Sequence, residues 1–313
     1  MENQKDNILM KVRSSRACIA AGYRLYTGNF KKIFRLTWLA AIVYGLFNGI
    51  YTSYIASEYP KMFLAMSSGQ MFMTDNIIPA TVTILMPIVI ILSSIWLYSH
   101  VFSMLHQHRS EGIITTPIKL LKISINKQSI LRTTAWILIS ILISVIMAAI
   151  TSGILYYAIS IKSTTMMAAA PLAGLIILLL LIPLVHPAMH YLTTRDTKLM
   201  GILGTDYSTG MRYWGKIFTV TFITIIFSSI ILSITTLPAI ILSVANIKAQ
   251  TGVMMGDPLG MPDYIGKLTL LVFSLAGFIQ AYVMLSIFFP AYYVSGSIEK
   301  QEQERNEKKN LIY

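Results

Sequence analysis

The sequence predicts an all-α integral membrane protein with six transmembrane helices, and three observations support this fold class. Hydrophobic residues make up 55% of the 313 residues, whereas charged residues make up only 12%, about half the share found in ordinary soluble proteins. Six intervals without Asp, Glu, Lys or Arg are each long enough to hold the about 20 apolar residues that cross a bilayer core. Lys and Arg concentrate in alternate loops between these intervals. Mean hydropathy of +0.65 agrees with a protein whose solvent is lipid.

The predicted transmembrane helices cover approximately residues 33–57, 77–102, 133–160, 166–192, 217–245 and 268–295. Helices are expected because a helix satisfies its own backbone hydrogen bonds in hydrocarbon. Only Lys162 separates the third apolar interval from the fourth, which predicts a tight hairpin. We assign residues 1–298 to a single membrane domain and residues 299–313 to a charged cytoplasmic tail.

The distribution of Lys and Arg predicts the orientation. Of these 25 residues, 21 lie in the N-terminal segment through Arg35, in the second and fourth loops, or after Ile298. Because Lys and Arg accumulate on the cytoplasmic side, both termini are predicted to be cytoplasmic in a multi-pass protein of a bacterial cytoplasmic (inner) membrane. The four tryptophans, at positions 38, 96, 136 and 214, all fall near the predicted cytoplasmic ends of helices, where indole rings favour the headgroup zone.

A threefold internal repeat is the second architectural prediction. Basic, partly apolar segments precede the odd-numbered helices, at Ile8–Phe30, Ile113–Leu131 and Leu199–Trp214. Such segments favour helices that lie in the membrane interface; in the first, Ile8, Val12, Ile19, Leu25 and Tyr26 are expected to face lipid. Lys31–Phe34 matches Gly215–Phe218, and Pro187–Tyr191 matches Pro290–Val294. We therefore predict three units, each made of one interfacial helix and one transmembrane hairpin. The alternative explanation is that any six-helix protein with inside-positive flanks shows the same pattern.

Two short motifs carry a family resemblance. The stretch Cys18–Trp38, which includes Gly22-Tyr23-Arg24 and Gly28-Asn29-Phe30, and the stretch Ser208–Phe218 resemble segments of a broad group of six-helix bacterial membrane proteins. That group includes the membrane region of glycerophosphoryl diester phosphodiesterases and the YciC-like uncharacterised proteins. Phosphodiesterase activity in the group lies in a separate soluble barrel domain, for which this chain has no room. The resemblance therefore implies a membrane module and not an enzyme.

Candidate polar groups within the apolar intervals are few. All thirteen Asp and Glu residues lie in predicted loops or tails, which disfavours ion-coupled transport because such transporters place ionisable groups at bilayer depth. Asn48 and Gln280 are interpreted as an interhelical hydrogen bond, and Gly45 and Gly49 as a close-packing motif. Seven prolines are expected to kink helices and, as the less favoured alternative, to break them at an ion site: Pro79, Pro87, Pro171, Pro183, Pro187, Pro238 and Pro290.

Two patterns raise the question of a metal. His186 and His190 share one helix face, with Asp196 and Glu111 as further ligands that could approach, a spacing found in zinc sites; interfacial helix capping is the simpler explanation. Methionines cluster in the predicted outer loops, at Met62, Met66, Met71, Met73, Met166, Met167, Met254, Met255 and Met261. Thioethers bind Cu(I), but an apolar cap that packs on the outer face of the helix bundle is the favoured explanation.

The function predicted from the sequence is that of a non-catalytic membrane module that acts through lipid or partner contacts. Anionic headgroups at the basic interfacial segments are the expected partners, with a protein partner or a homo-oligomer also considered and nucleic acid excluded. No catalytic, cofactor-binding or metal-binding residue is assigned. A transporter or channel for a small or lipid-like solute is the first alternative, and a metal-linked membrane enzyme is the second.

Overall fold

A computed structural model describes residues 9–67, 77–114, 127–195, 197, 199, 201, 204–254, 262 and 264–311. The regular elements in this part of the chain are helices, and it contains no strand. They are α1 (Ser15–Gly28), α2 (Phe30–Ser67), α3 (Ile77–Glu111), α4 (Lys127–Ser160), α5 (Thr164–Leu181), a 3₁₀ turn (Ile182–Leu184), α6 (Val185–Thr193), α7 (Thr205–Arg212), α8 (Trp214–Met254) and α9 (Tyr264–Asn310).

Six of these stretches are long and apolar enough to cross a membrane, which confirms the predicted fold class. The fourth is made of α5, the 3₁₀ turn and α6, because the helix tightens around Pro183. Pro87, Pro238 and Pro290 instead lie inside continuous helices. The predicted tail is not a separate segment, since α9 continues as one helix through Glu299 to Asn310.

The predicted hairpin between the third and fourth spans is confirmed. Lys162 has a φ of 52°, a left-handed conformation that reverses the chain at little length. The backbone N–H of Ser163 donates to the carbonyl oxygen of Ala158 over 3.1 Å and closes the turn. The helices α4 and α5 are therefore joined by three residues.

The breaks before α2 and α8 have nearly the same backbone geometry. Asn29 has φ −113° and ψ 11°, and Tyr213 has φ −104° and ψ 24°. Each residue's carbonyl oxygen accepts from the N–H groups three and four positions later, which belong to Lys32 and Ile33 in one case and to Lys216 and Ile217 in the other. These are the positions that the sequence motif aligns. Two of the three predicted repeat units thus share their helix-break-helix geometry, while most of the segment Ile113–Leu131 lies outside the described residues.

The chain divides into two compact units. The first comprises Met1–Ile33, Tyr98–Ile225 and Ile287–Tyr313, and the second comprises Phe34–Leu97 and Ile226–Ser286. The prediction of a single membrane domain over residues 1–298 stays a prediction.

In the first unit, α1 packs on α9. The buried residues of α1 are Cys18, Gly22 and Tyr26, and the rings of Tyr26 and Phe289 lie 5.0 Å apart between centroids. A Cβ at Gly22 would lie 2.4 Å from the backbone nitrogen of Pro290, so only glycine permits this approach. The expectation that Tyr26 faces lipid was wrong, because the α9 surface covers that side chain.

In the second unit, α2 packs on α9 at the predicted glycines. A Cβ at Gly45 would lie 2.7 Å from the backbone nitrogen of Phe278, and one at Gly49 would lie 2.3 Å from Ser274 Oγ. Between these contacts, Asn48 Nδ2 donates to Gln280 Oε1 over 3.1 Å. The predicted close packing and the predicted interhelical hydrogen bond are both confirmed.

Candidate functional site

The histidine pair of α6 lines a polar cleft in the first unit. The rings of His186 and His190 are nearly parallel, at 13°, with centroids 6.3 Å apart. His186 Nδ1 lies 3.0 Å from Ser295 Oγ, and His190 Nδ1 lies 3.1 Å from Asp206 Oδ2. Because a hydrogen bond at Nδ1 fixes the orientation of an imidazole ring, α9 orients the first histidine and α7 orients the second.

A bidentate ion pair crosses the same cleft. Arg109, near the end of α3, donates to both carboxylate oxygens of Glu299 on α9, over 3.1 and 2.5 Å. It also donates to Thr193 Oγ1 at the end of α6, over 3.4 Å. Both charged side chains are largely buried, with 17% and 13% exposure, and paired charges with this geometry are among the strongest hydrogen bonds in proteins. Arg109 therefore joins three helices.

A second ion pair joins α7 to the end of α9. Arg212 Nη1 donates to both oxygens of Glu302 over 2.9 Å. Burial, followed by the neighbouring Glu302 carboxylate, raises the pKa of Tyr213 at the α7–α8 break.

The polar cleft has a volume of about 380 Å³ and is lined by residues from four helices and the N-terminal segment: Met10, Arg109, His186, His190, Asp206, Thr209, Glu299, Glu302, Gln303 and Asn306. Within the described residues, no three His, Cys, Asp or Glu side chains are grouped so that they could hold a metal ion. Glu111 accepts instead from Gln107 over 3.0 Å, and Asp196 lies outside the described residues. The histidine pair thus lacks a third protein ligand in this part of the chain, and its metal hypothesis stays a prediction.

The other histidines act within the protein interior of the first unit. His106 Nδ1 lies 2.7 Å from the carbonyl oxygen of Thr193, and His108 Nδ1 lies 3.0 Å from the hydroxyl of Tyr292. His100 is buried on the same helix. These contacts fit the interpretation of histidines as polar links between helix ends.

No protein family, no curated protein and no solved structure matches this chain. The resemblance of the two motifs to the six-helix bacterial group accordingly stays a prediction. The geometry of the chain itself carries the functional argument.

An apolar groove runs along α4 in the first unit. It consists of two neighbouring cavities of about 310 and 450 Å³ that share four wall residues: Trp136, Ser140, Ser144 and Phe288. Residues of α5, α6, α8 and α9 complete the first cavity, and Tyr98 and Phe102 of α3 complete the second. Both volumes fall within the about 300–1,000 Å³ typical of small-molecule sites.

The second unit holds a further cavity near the Asn48–Gln280 bond. Its volume is about 320 Å³, and its lining residues are Tyr51, Thr52, Ile55, Ala56, Ser243 and Ile247. Neither Asn48 nor Gln280 belongs to that lining, because the two amides bond to each other. Of the methionines considered for Cu(I), only the side chain of Met167 is described, and it is 43% exposed.

Sequence reasoning missed the partners that complete the cleft. Asp206, Ser295 and Glu299 approach the histidines, whereas the sequence pointed to Asp196 and Glu111. The available signal was position: Asp206 opens an interfacial helix, and Glu299 follows the last apolar interval directly. Charges beside helix ends face one another when the helices pack side by side, but the sequence does not say which helices do so.

Arg132 was counted only as one of the inside-positive charges. It donates to the carbonyl oxygens of Tyr191, over 2.6 Å, and of Thr194 and Arg195. These groups terminate α6, where carbonyls have no partner within the helix. Arg132 thus caps α6 from the first turns of α4.

Proposed function

We propose that this chain is a non-catalytic membrane module that acts by binding bilayer lipid, with anionic headgroups held at the basic face of α1. We place it in a bacterial cytoplasmic membrane with both termini in the cytoplasm, on the basis of the Lys and Arg distribution. The single observation that supports the lipid role best is that α1 uses one face for protein contacts and leaves its cations on the other.

The outer face of α1 is built for this role. Arg16, Ala20 and Arg24 are spaced by four residues and are all exposed, as is Lys31 just beyond the break. In the described part of the chain, none of these three cations forms an ion pair, unlike Arg109 and Arg212. Each cation near an anionic membrane surface contributes about 1 kcal/mol of attraction.

The test compares two charge-removing double variants of the full-length protein. Arg16→Gln with Arg24→Gln removes two cations from α1, and Lys308→Gln with Lys309→Gln removes two exposed cations from the end of α9. Binding of phosphatidylglycerol to the detergent-solubilised protein is measured by native mass spectrometry, with zwitterionic phosphatidylcholine, which carries no net charge, as the reference.

The α1 variant should bind phosphatidylglycerol about 30-fold more weakly, since two cations contribute about 2 kcal/mol. Phosphatidylcholine binding should not change in either variant, and the α9 variant should lose much less affinity. Equal losses in the two variants would reject a specific role for α1.

The apolar groove favours one alternative, a transporter of a lipid-like solute. Its hydroxyl-bearing wall residues are Ser140, Ser144, Thr221 and Thr224, and three of them bond to carbonyls of their own helices. Such walls suit hydrocarbon better than a polar solute. Flux of a fluorescent lipid across proteoliposomes containing the protein separates this alternative from a lipid-binding module, which produces no flux.

A further inference from the structure

The helix α4 is the least packed of the six candidate spans. None of its most apolar 18-residue window is buried, whereas 17 to 39% of the corresponding window is buried in each of the other five. An isolated apolar helix in lipid gains nothing from the hydrophobic effect by approaching another helix. Its position beside the rest of the first unit therefore depends on close contacts, and these leave no residue of that window buried.

The groove is the reason for this poor packing. Trp136, Ser140 and Ser144 form one edge of α4 and face both cavities, with Phe288 of α9 between them. Together the cavities lie between residues 136–148 of α4 and the facing residues of α3, α8 and α9. Both spaces, of about 310 and 450 Å³, are open at the surface of α4, so the medium around the helix enters them.

The walls define the chemistry of that occupant. Ser140 Oγ donates to the carbonyl oxygen of Trp136 over 2.9 Å, and Ser144 Oγ donates to that of Ser140 over 2.8 Å. On the opposite wall, Thr224 Oγ1 donates to the carbonyl oxygen of Val220 over 2.7 Å. Hydroxyls that bond back to their own helix offer no free donor. Apart from the Thr221 hydroxyl, the groove therefore presents mainly methyl, methylene and aromatic surface.

The groove is continuous with the lipid-facing surface of α4. Val145 lines the second cavity and is itself 59% exposed. Leu138 and Leu142 lie beside the wall residues and are exposed to 58% and 59%. Because these residues belong to a candidate membrane span, the medium at the mouth of the groove is bilayer hydrocarbon.

We propose that a phospholipid acyl chain occupies this groove and wedges the α4–α5 hairpin against the rest of the first unit. The proposal extends the proposed lipid-binding function, because it adds a defined site for the acyl chain that is separate from the headgroup contacts of α1. A buried acyl chain gains about 0.8 kcal/mol for each methylene removed from water, but within a bilayer that gain is absent. Shape and van der Waals contact with Trp136 and Phe288 retain the chain.

The test uses phosphatidylcholine with a photoreactive diazirine on one acyl chain, incorporated into nanodiscs with the full-length protein. After illumination, adducts are mapped to residues by mass spectrometry. Ala188 and Thr224 line the first cavity but are only 3% and 1% exposed. A probe inside the groove labels Ala188 and Thr224 themselves, whereas annular lipid labels exposed positions such as Leu142 and Phe222.

Two filled-groove variants sharpen the result. Ser140→Leu with Ser144→Leu fills the groove from α4, and Ala188→Leu fills it from α6. Each should lower labelling of Thr224 itself at least fivefold, while labelling of the exposed neighbour Phe222 stays the same. The matched control is Ser152→Leu, at an exposed position of α4 outside both cavities, and it should leave labelling unchanged.

Adducts confined to outer positions of the wild-type protein would overturn the proposal, whatever the variants do. So would a groove closed to the probe in a protein that elutes as a dimer, because a second copy would then be the occupant. Because the probe lipid carries no net charge, a negative result in this labelling test does not bear on the binding of anionic headgroups by α1. Failure of the phosphatidylglycerol test likewise leaves the groove proposal standing.

Discussion

The Arg109–Glu299 ion pair should contribute more to stability than any surface charge of this chain. The two side chains form two charge-assisted hydrogen bonds and are 17% and 13% exposed. Hydrogen bonds to charged groups contribute about 1.5–3 kcal/mol, and removal of one partner from a fully buried pair costs about 3–5 kcal/mol. Because some solvent reaches this pair, we expect Glu299→Ala to cost about 2–3 kcal/mol.

The assay is equilibrium unfolding of the purified protein in mixed micelles with increasing SDS, followed by circular dichroism. Glu304→Ala is the control, because Glu304 is an exposed acid on the same helix and should change stability by less than about 0.5 kcal/mol. In a double-mutant cycle, Arg109→Ala and Glu299→Ala should couple by about 1–3 kcal/mol. Additive single effects, or a Glu299→Ala effect equal to that of the control, would refute the reasoning.

Three further predictions use the same unfolding assay or a simple chemical probe. Arg132→Ala should cost about 1–3 kcal/mol, because it removes charge-assisted hydrogen bonds to partly buried carbonyls at the end of α6. An unchanged midpoint would mean that water replaces the guanidinium. Gly22→Ala should cost about 1–3 kcal/mol through overpacking against Pro290. Its control, Gly28→Ala, should be neutral, because no atom lies within 4 Å of the added methyl group. Equal effects of the two substitutions would argue against the close approach of α1 to α9. Cys18 is fully buried, and burial raises the pKa of its thiol. N-ethylmaleimide at pH 7 should therefore modify this thiol only after unfolding. Fast modification of the folded protein would contradict the packing of α1.

The membrane class and the hairpin at Lys162 were predictable because each depends on a local property of the chain. A long run of apolar residues indicates that a helix lies in bilayer hydrocarbon. One charged residue between two such runs leaves room only for a tight turn. The Asn48–Gln280 bond was predictable for a related reason, since a polar side chain in hydrocarbon needs a partner and few such residues exist in this chain.

The polar cleft was not predictable in the same way. The pairing of Arg109 with Glu299 joins residues 190 positions apart, and it depends on which helices pack together. Hydropathy does not encode that neighbourhood. Tyr26 shows the same limit. The sequence correctly placed its side chain on the apolar face of α1, but it did not show whether lipid or the surface of α9 covers that face.

The apolar groove was not predictable from the sequence for a third reason. Serine and threonine in an apolar helix look like polar groups that require partners, but Ser140 and Ser144 satisfy themselves on their own helix. Only the structure shows the cavities beside them.

Sidedness of the chain tests the account's central claim, that bilayer hydrocarbon surrounds its helices, most directly. Cys18 is the only cysteine, so Cys18→Ser gives a background for single cysteines at the hairpin, Lys162→Cys, and at the end of α9, Lys309→Cys. A membrane-impermeant maleimide applied to intact cells should label the first and not the second, and inverted vesicles should give the reverse. Labelling of both positions from the same side would contradict the account.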